Sequence, residues 1–134
     1  MTANRTPAQL YALLVGGVLV VAGIIGFLYN SSFDTGDQVP RDAVFGILDV
    51  NAWHNLVHLA TGALGLATFG RAATARTYAL ALGAVYLVVA IWGFALGDNE
   101  VILNIVPVNT EDNVLHLLIA VAGLGAGAAS PSGT

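Results

Sequence analysis

Three histidines and one aspartate are the residues of this chain whose types and spacing could do chemistry. His54 and His58 are four apart, and so are Asp112 and His116; on a helix, residues four apart share a face. At an offset of 58, His58 aligns with His116 and His54 with Asp112. If the two faces meet, three imidazoles and one carboxylate converge, a ligand set that suits tetrahedral zinc. Asn55 and Asn113 each follow directly and could orient the rings from behind. Three protein ligands plus water would make a reactive centre; four would make a closed, structural one. A second reading uses only His58 and His116, as axial ligands of a b-type haem slotted between glycine-lined helices. A third treats the same residues as polar glue. Asn55–His116 and Asn113–His58 hydrogen bonds would then fix helix register at about 0.6 kcal/mol each. Asp112 and Thr110 would cap one helix and Asp49 the other, with His54 resting in the headgroup region beside Trp53.

The elements that position these residues are apolar. Of 134 residues, 57% are hydrophobic and 9% charged, where a soluble domain carries about a quarter charged residues. Mean hydropathy is +0.79. Four stretches have the length and apolarity expected of membrane-crossing helices: about Leu10–Tyr29, Ala52–Phe69, Tyr78–Leu96 and Asn113–Ala129. They predict an all-α integral membrane fold of four transmembrane helices in a single domain, 1–134. Residues 130–134 read as a disordered tail. The first stretch lacks a small-x-small cleavage site, ending Phe27-Leu28-Tyr29-Asn30, so it reads as a retained helix rather than a signal peptide.

A repeat organises the four stretches. At an offset of 67, Tyr11-Ala12-Leu13, Gly16, Val18, Val21, Ile24 and Gly26-Phe27 match Tyr78-Ala79-Leu80, Gly83, Val85, Val88, Ile91 and Gly93-Phe94. At an offset of 58, Val50-Asn51, Asn55, His58-Leu59 and Gly65-Leu66 match Val108-Asn109, Asn113, His116-Leu117 and Gly123-Leu124. Repeat 1 spans about 10–69 and repeat 2 about 77–129. Each is two helices, so both copies enter the membrane from the same side, as parallel helix hairpins related by a pseudo-two-fold axis. Ile47–Asn51 and Ile105–Asn109 read as short apolar lead-ins to the second helix of each copy. Stripes of polar and small residues, Asn51, Asn55, His58, Gly62, Gly65 and Asn109, Asn113, His116, Ala120, Gly123, Gly127, point inward.

The Asn-x-x-His-Leu pattern, followed by Gly-x-x-Gly in the first copy and preceded by Asn-Thr-x-Asp in the second, resembles a family of small bacterial membrane proteins. That family is catalogued as domain of unknown function 4383. The similarity covers about residues 8–128. It implies four transmembrane helices and an actinobacterial origin, and it brings no established activity.

Charge sets the orientation. Arg5, Arg71 and Arg76 lie on one side; all eight acids lie in the other two loops, joined by Arg41. The positive-inside rule puts both termini in the cytoplasm of a plasma-membrane protein. Several classes are excluded. There is no cysteine, so no disulfide, thiolate nucleophile or iron–sulfur cluster. Four arginines and a net charge of −4 do not make a nucleic-acid surface. No phosphate-binding loop follows a strand, and Ser31, Ser32 and Thr61 lack a base and orienter. The expectation is a non-enzymatic integral membrane protein whose partners are the bilayer and other membrane proteins or itself, acting as an accessory or scaffold through helix contacts. The alternative is a zinc or haem protein with its site near the outer face.

Overall fold

The computed structural model describes residues 4–39, 42–98 and 100–132. Arg41, counted above among the acidic loops, lies outside them, as do Gly133 and Thr134 of the expected tail. Helix α1 (Pro7–Tyr29) starts where the sequence asks it to. Thr6 Oγ1 accepts the Gln9 amide, the Gln9 side chain accepts the Thr6 amide, and Pro7 supplies a preset first-turn backbone. Helix α2 (Ala52–Thr68) is capped by Asn51, whose Oδ1 accepts the His54 amide at 2.9 Å. Helix α3 (Ala72–Leu96) follows after a short turn. Helix α4 (Thr110–Ala128) carries a full capping box between Asn109 and Asp112.

The chain is not all-α. Before α2 lies an antiparallel hairpin, β1 (Asp42–Val44) with β2 (Leu48–Val50), and before α4 another, β3 (Glu100–Ile102) with β4 (Val106–Val108). The expected apolar lead-ins are the return strands of these hairpins. Their tips take left-handed backbone at Phe45 and Gly46, and at Leu103 and Asn104. Two successive positive φ values are what a tight hairpin turn requires; glycine and asparagine adopt them most readily. A single 3-10 turn at Gly36–Gln38 precedes the first hairpin.

The expectation of four transmembrane helices is also corrected. Two helices, α1 and α3, are long and apolar enough to cross a membrane. Their 23 and 25 residues reach about 35–37 Å at 1.5 Å per residue. Helix α2 has 17 residues, about 26 Å, short of a hydrocarbon core of about 30 Å. Helix α4 spends its first turn on Thr110, Glu111, Asp112 and Asn113, so its apolar run begins only at Val114. The expected stretches follow these two helices closely; what fails is the length of α2 and the polar first turn of α4.

Close approach of backbones decides the packing. Helix α1 lies antiparallel against α2: Gly16 faces Gly62, Gly23 faces Leu59, and Gly26 faces Asn55. Helix α3 meets α4 the same way, with Gly83 against Ala120 and Leu124 and Gly93 against Asn113. Small residues permit such contacts. A buried apolar cluster of Ala8, Tyr11, Ala12, Leu19, Ala75, Tyr78, Ala79, Leu82, Tyr86 and Ala120 joins the two pairs. Tyr11 donates to the Ile119 carbonyl at 2.8 Å and Tyr78 to the Thr61 carbonyl at 2.9 Å. Large apolar side chains such as Leu28 (82% exposed) cover the outer faces of α1 and α3, as suits helices solvated by lipid.

The molecule therefore has two ends. One gathers the start of α1, the α2–α3 turn and the end of α4: Arg5 stacks on Phe69, Gln9 donates to the Phe69 carbonyl, and Arg76 to the Gly127 carbonyl. Ser130, placed in the tail by its sequence, is buried there, and its hydroxyl accepts the Ala8 amide at 2.8 Å. The other end holds both hairpins and the first turns of α2 and α4.

Candidate metal centre

A layer of buried polar side chains lies at the hairpin end. Asn51 and Asn109 cap their own helices and also cross over: Asn51 Nδ2 donates to the Ile105 carbonyl and Asn109 Nδ2 to the Ile47 carbonyl, at 2.5 and 2.6 Å. Each cap thereby ties the other hairpin in place. Hairpin tip and helix start, apart in sequence by more than fifty residues, become one rigid platform.

On this platform the three histidines converge. His54 sits in the first turn of α2 and is 2% exposed; His58 is one turn further on and half-buried; His116 comes from α4 and is buried. Ring centres are 4.4 Å apart for His54–His58, 5.7 Å for His54–His116 and 6.2 Å for His58–His116. One ring nitrogen from each lies within 4.8 Å of the others. Nitrogens around a tetrahedral zinc, with bonds of about 2.0–2.1 Å, sit about 3.3 Å apart. The rings need draw in by at most about 1.5 Å, within reach of side-chain rotation.

The carboxylate does not join them. Asp112 Oδ2 accepts the Asp49 amide at 3.0 Å and the Asn109 amide at 3.1 Å, and the cluster of potential ligands is His54, His58 and His116 alone among the described residues. Asp112 is a cap and a strap to the first hairpin, its Oδ2 taken by two backbone donors. The asparagines also depart from expectation. Asn55 Nδ2 donates to the Asn30 carbonyl at 2.9 Å and its Oδ1 rests against Gly26. Asn113 turns its Oδ1 against Gly93. Neither bonds a histidine: each faces the glycine of the neighbouring long helix, where the missing Cβ leaves room.

Electrostatics favour neutral rings. Burial lowers His54 from its ordinary value to about 4, against the pull of the nearby Asp49 and Pro107 carbonyls. Neither carbonyl stands in hydrogen-bonding geometry, and both His54 ring nitrogens, with His58 Nδ1 and His116 Nδ1, have no hydrogen-bond partner. A neutral imidazole is the form that binds a metal. Burial raises Asp112 to about 8, its two backbone hydrogen bonds pulling the other way.

Two residues beside the centre were not anticipated. The Tyr86 ring stands edge-on to His116 at 5.4 Å, and its hydroxyl lies 3.3 Å from the Thr61 hydroxyl. The available signal was a tyrosine on α3 where the aligned position of α1 is Leu19.

A haem on His58 and His116 would collide with the third ring. The His54 centre lies about 4 Å from the midpoint of the other two, inside the radius of a macrocycle held between two axial histidines. Three ring nitrogens, one from each histidine, lie within 4.8 Å of one another, close enough to offer ligands to a single small cation.

No curated protein and no solved structure matches the chain significantly. One family model does, over residues 9–129, nearly the whole chain. The protein belongs to the family described as domain of unknown function (DUF4383).

Proposed function

We propose that this is a membrane protein that binds one divalent cation of the zinc class on His54, His58 and His116, leaving one coordination position for an outside ligand. The observation that carries the reading is the set of buried, unpartnered ring nitrogens. Each such group costs about 1–3 kcal/mol when left unsatisfied, and one cation would satisfy a nitrogen on every ring at once. Polar glue is the weaker account, because neither Asn55 nor Asn113 hydrogen-bonds a histidine. A scaffolding role through glycine surfaces is weaker too, since Gly16, Gly23 and Gly26 are occupied by contacts with α2.

The role is binding rather than turnover: a centre that holds, senses or hands on a cation. Charge supports the placement. Arg5, Arg71 and Arg76 gather at one end and the acids at the other, a distribution that by the positive-inside rule supports a reading with the arginine end towards the cytoplasm and the histidines towards the outer face.

Zinc titration against a competing chromophoric chelator, in mild detergent, tests this. The wild type is expected to bind one zinc. His54→Ala, His58→Ala and His116→Ala should each weaken it at least tenfold, and Asp112→Asn should leave it within a few-fold. A wild type that takes no zinc, or histidine variants that bind it equally well, would refute the reading.

A further inference from the structure

Both hairpin tips carry large apolar side chains where a turn facing water would carry polar ones. Residues 43–48 and 101–106 contain no charge; the charges stand at the strand starts, on Asp42 and Glu100. Phe45 is 74% exposed and Leu103 65%. Each takes left-handed backbone, at φ of 52° and 54°, a conformation uncommon for bulky residues. Neither tip stands clear of the helices. Phe45 shares a groove of about 610 Å³ with Val18, Val21 and Ile25 of α1, and its ring meets Tyr29 edge-on at 5.7 Å. Leu103 shares one of about 450 Å³ with Val85, Val88 and Trp92 of α3. The exposed walls of both are almost wholly apolar. The tip backbone, by contrast, has its polar groups paired within the protein. The Gly46 and Ile47 amides donate to the Ala43 and Val44 carbonyls at 3.1 and 3.0 Å, and the Ile105 amide to the Ile102 carbonyl at 3.1 Å. The Ile47 and Ile105 carbonyls accept Asn109 and Asn51 from the opposite half, and the Asn104 carbonyl accepts the Gly36 amide at 2.7 Å. Water would serve the carbonyls of a surface turn; hydrocarbon cannot, and demands that the protein serve them.

We propose that both tips are seated in the lipid leaflet at the hairpin end, with Phe45 and Leu103 among acyl chains and the charged strand starts among headgroups. The proposal rests on the reading that α1 and α3 cross a membrane, and it does not need the metal centre. Lipid is the occupant for three reasons. First, the tips continue the outer faces of α1 and α3. Val18, Val21, Val85 and Val88 there are more than half exposed, on the two helices long and apolar enough to span. Second, there are two tips, one on each half, and a bilayer covers both without needing two partner surfaces. Third, their level fits. Ile25 and Trp92 lie four residues before the helix ends at Tyr29 and Leu96, about 6 Å at 1.5 Å per residue. Helices of about 35–37 Å overrun a hydrocarbon core of about 30 Å by about 5–7 Å. Whether that overrun lies at the hairpin end or is shared between both ends, the tips fall at or just inside the hydrocarbon boundary. Interfacial segments bury their apolar faces at this depth, and the strand edges stay within reach of headgroups and water. The hairpins thereby cover, on their side, thickness that the 17 residues of α2 leave short.

Tryptophan fluorescence of the full-length protein in phosphatidylcholine vesicles provides the test. Trp53→Phe and Trp92→Phe clear the native signals. Phe45→Trp or Leu103→Trp then places one indole at a tip, and Val18→Trp, midway along α1, reports the crossing itself. Each is measured in vesicles brominated near the headgroup end or near the methyl end of the acyl chains, and with iodide on both sides. Val18→Trp should be quenched most by the deep bromines. Each tip indole should emit to the blue of free tryptophan and be quenched at least twofold more by shallow bromines than by deep ones. Iodide should quench it at least fivefold less than free tryptophan. Tips that iodide quenches like free tryptophan, or that the deep bromines quench most, overturn the proposal and leave the crossing standing. Blue-shifted tips that neither bromine nor iodide reaches also overturn it, since protein, such as a second copy, would then cover them. Val18→Trp untouched by either brominated lipid overturns the crossing, and the seating of the tips with it. The two tips are separate trials, so a variant that misfolds leaves the other to decide.

Discussion

Replacing His54 by leucine separates a cation site from polar glue by the sign of its effect. The ring is 2% exposed and neither nitrogen has a hydrogen-bond partner. In metal-free protein that ring is a net burden of about 1–3 kcal/mol, the cost of a buried unsatisfied group. Leucine is of similar volume, so the replacement adds less than about 1.5 kcal/mol of packing penalty. The expected outcome is a variant more stable than the wild type by about 1 kcal/mol under chelator, or roughly 4 °C in melting temperature at this chain length. Zinc should reverse the order. At a hundred times its dissociation constant a ligand stabilises by about 2.7 kcal/mol, and the variant should gain little of it. Scanning fluorimetry on Trp53 and Trp92, with chelator and with zinc, reads both differences. A His54→Leu protein that melts below the wild type in chelator would refute the reasoning, because the ring would then be making contacts that hold the fold.

Gly26→Ala should cost about 3 kcal/mol or more, since the added Cβ falls on Asn55 Oδ1 and displaces the Asn55–Asn30 bond; Gly17→Ala meets nothing within 4 Å and should be neutral or slightly stabilising. Thermal melts of the pair check this. Asn51→Ala and Asn109→Ala each remove a cap and a strap to the opposite hairpin, so each should cost about 2–3 kcal/mol and raise amide exchange in the hairpin it no longer holds. Asp112 has a raised value in the folded chain, so its contribution is fully present below about pH 4 and is lost as pH rises through about 8. His54, lowered by burial, contributes the opposite slope: stability present above about 6.5 and lost as pH falls through about 4. The difference in melting temperature between wild type and Asp112→Asn, followed under chelator from pH 4 to 8, isolates the aspartate and should shrink as pH rises.

The convergence of His54, His58 and His116 was legible because helical spacing and the offset of 58 both constrain it: two histidines one turn apart on α2 and one on α4 must meet if the polar stripes face each other. Asp112 obeyed the same spacing and still went elsewhere. Spacing fixes which face a residue is on, while the competition for its oxygens is decided by the Asp49 and Asn109 amides, which the hairpins bring in. Those hairpins were hidden. Their strands are three residues each, too short for alternation to register, and the tip pairs Phe45-Gly46 and Leu103-Asn104 sit inside apolar runs. The asparagines were misplaced for a related reason: a sequence shows that Gly26 and Gly93 are small, but not that their missing side chains are the sockets for Asn55 and Asn113. The reading of four spans failed on length and polarity, with the second and fourth stretches close to the helices that form. Helix α2 ends at Thr68 after 17 residues, and the polar first turn of α4 shortens what lipid could cover.

Elemental analysis of protein purified in mild detergent, without chelator or histidine tag, tests the central claim most directly. The account predicts close to one zinc per chain, lost when His54, His58 and His116 are all replaced by alanine in a variant that still folds. Metal-free wild type with an intact melting transition, even after incubation with excess zinc, would contradict it.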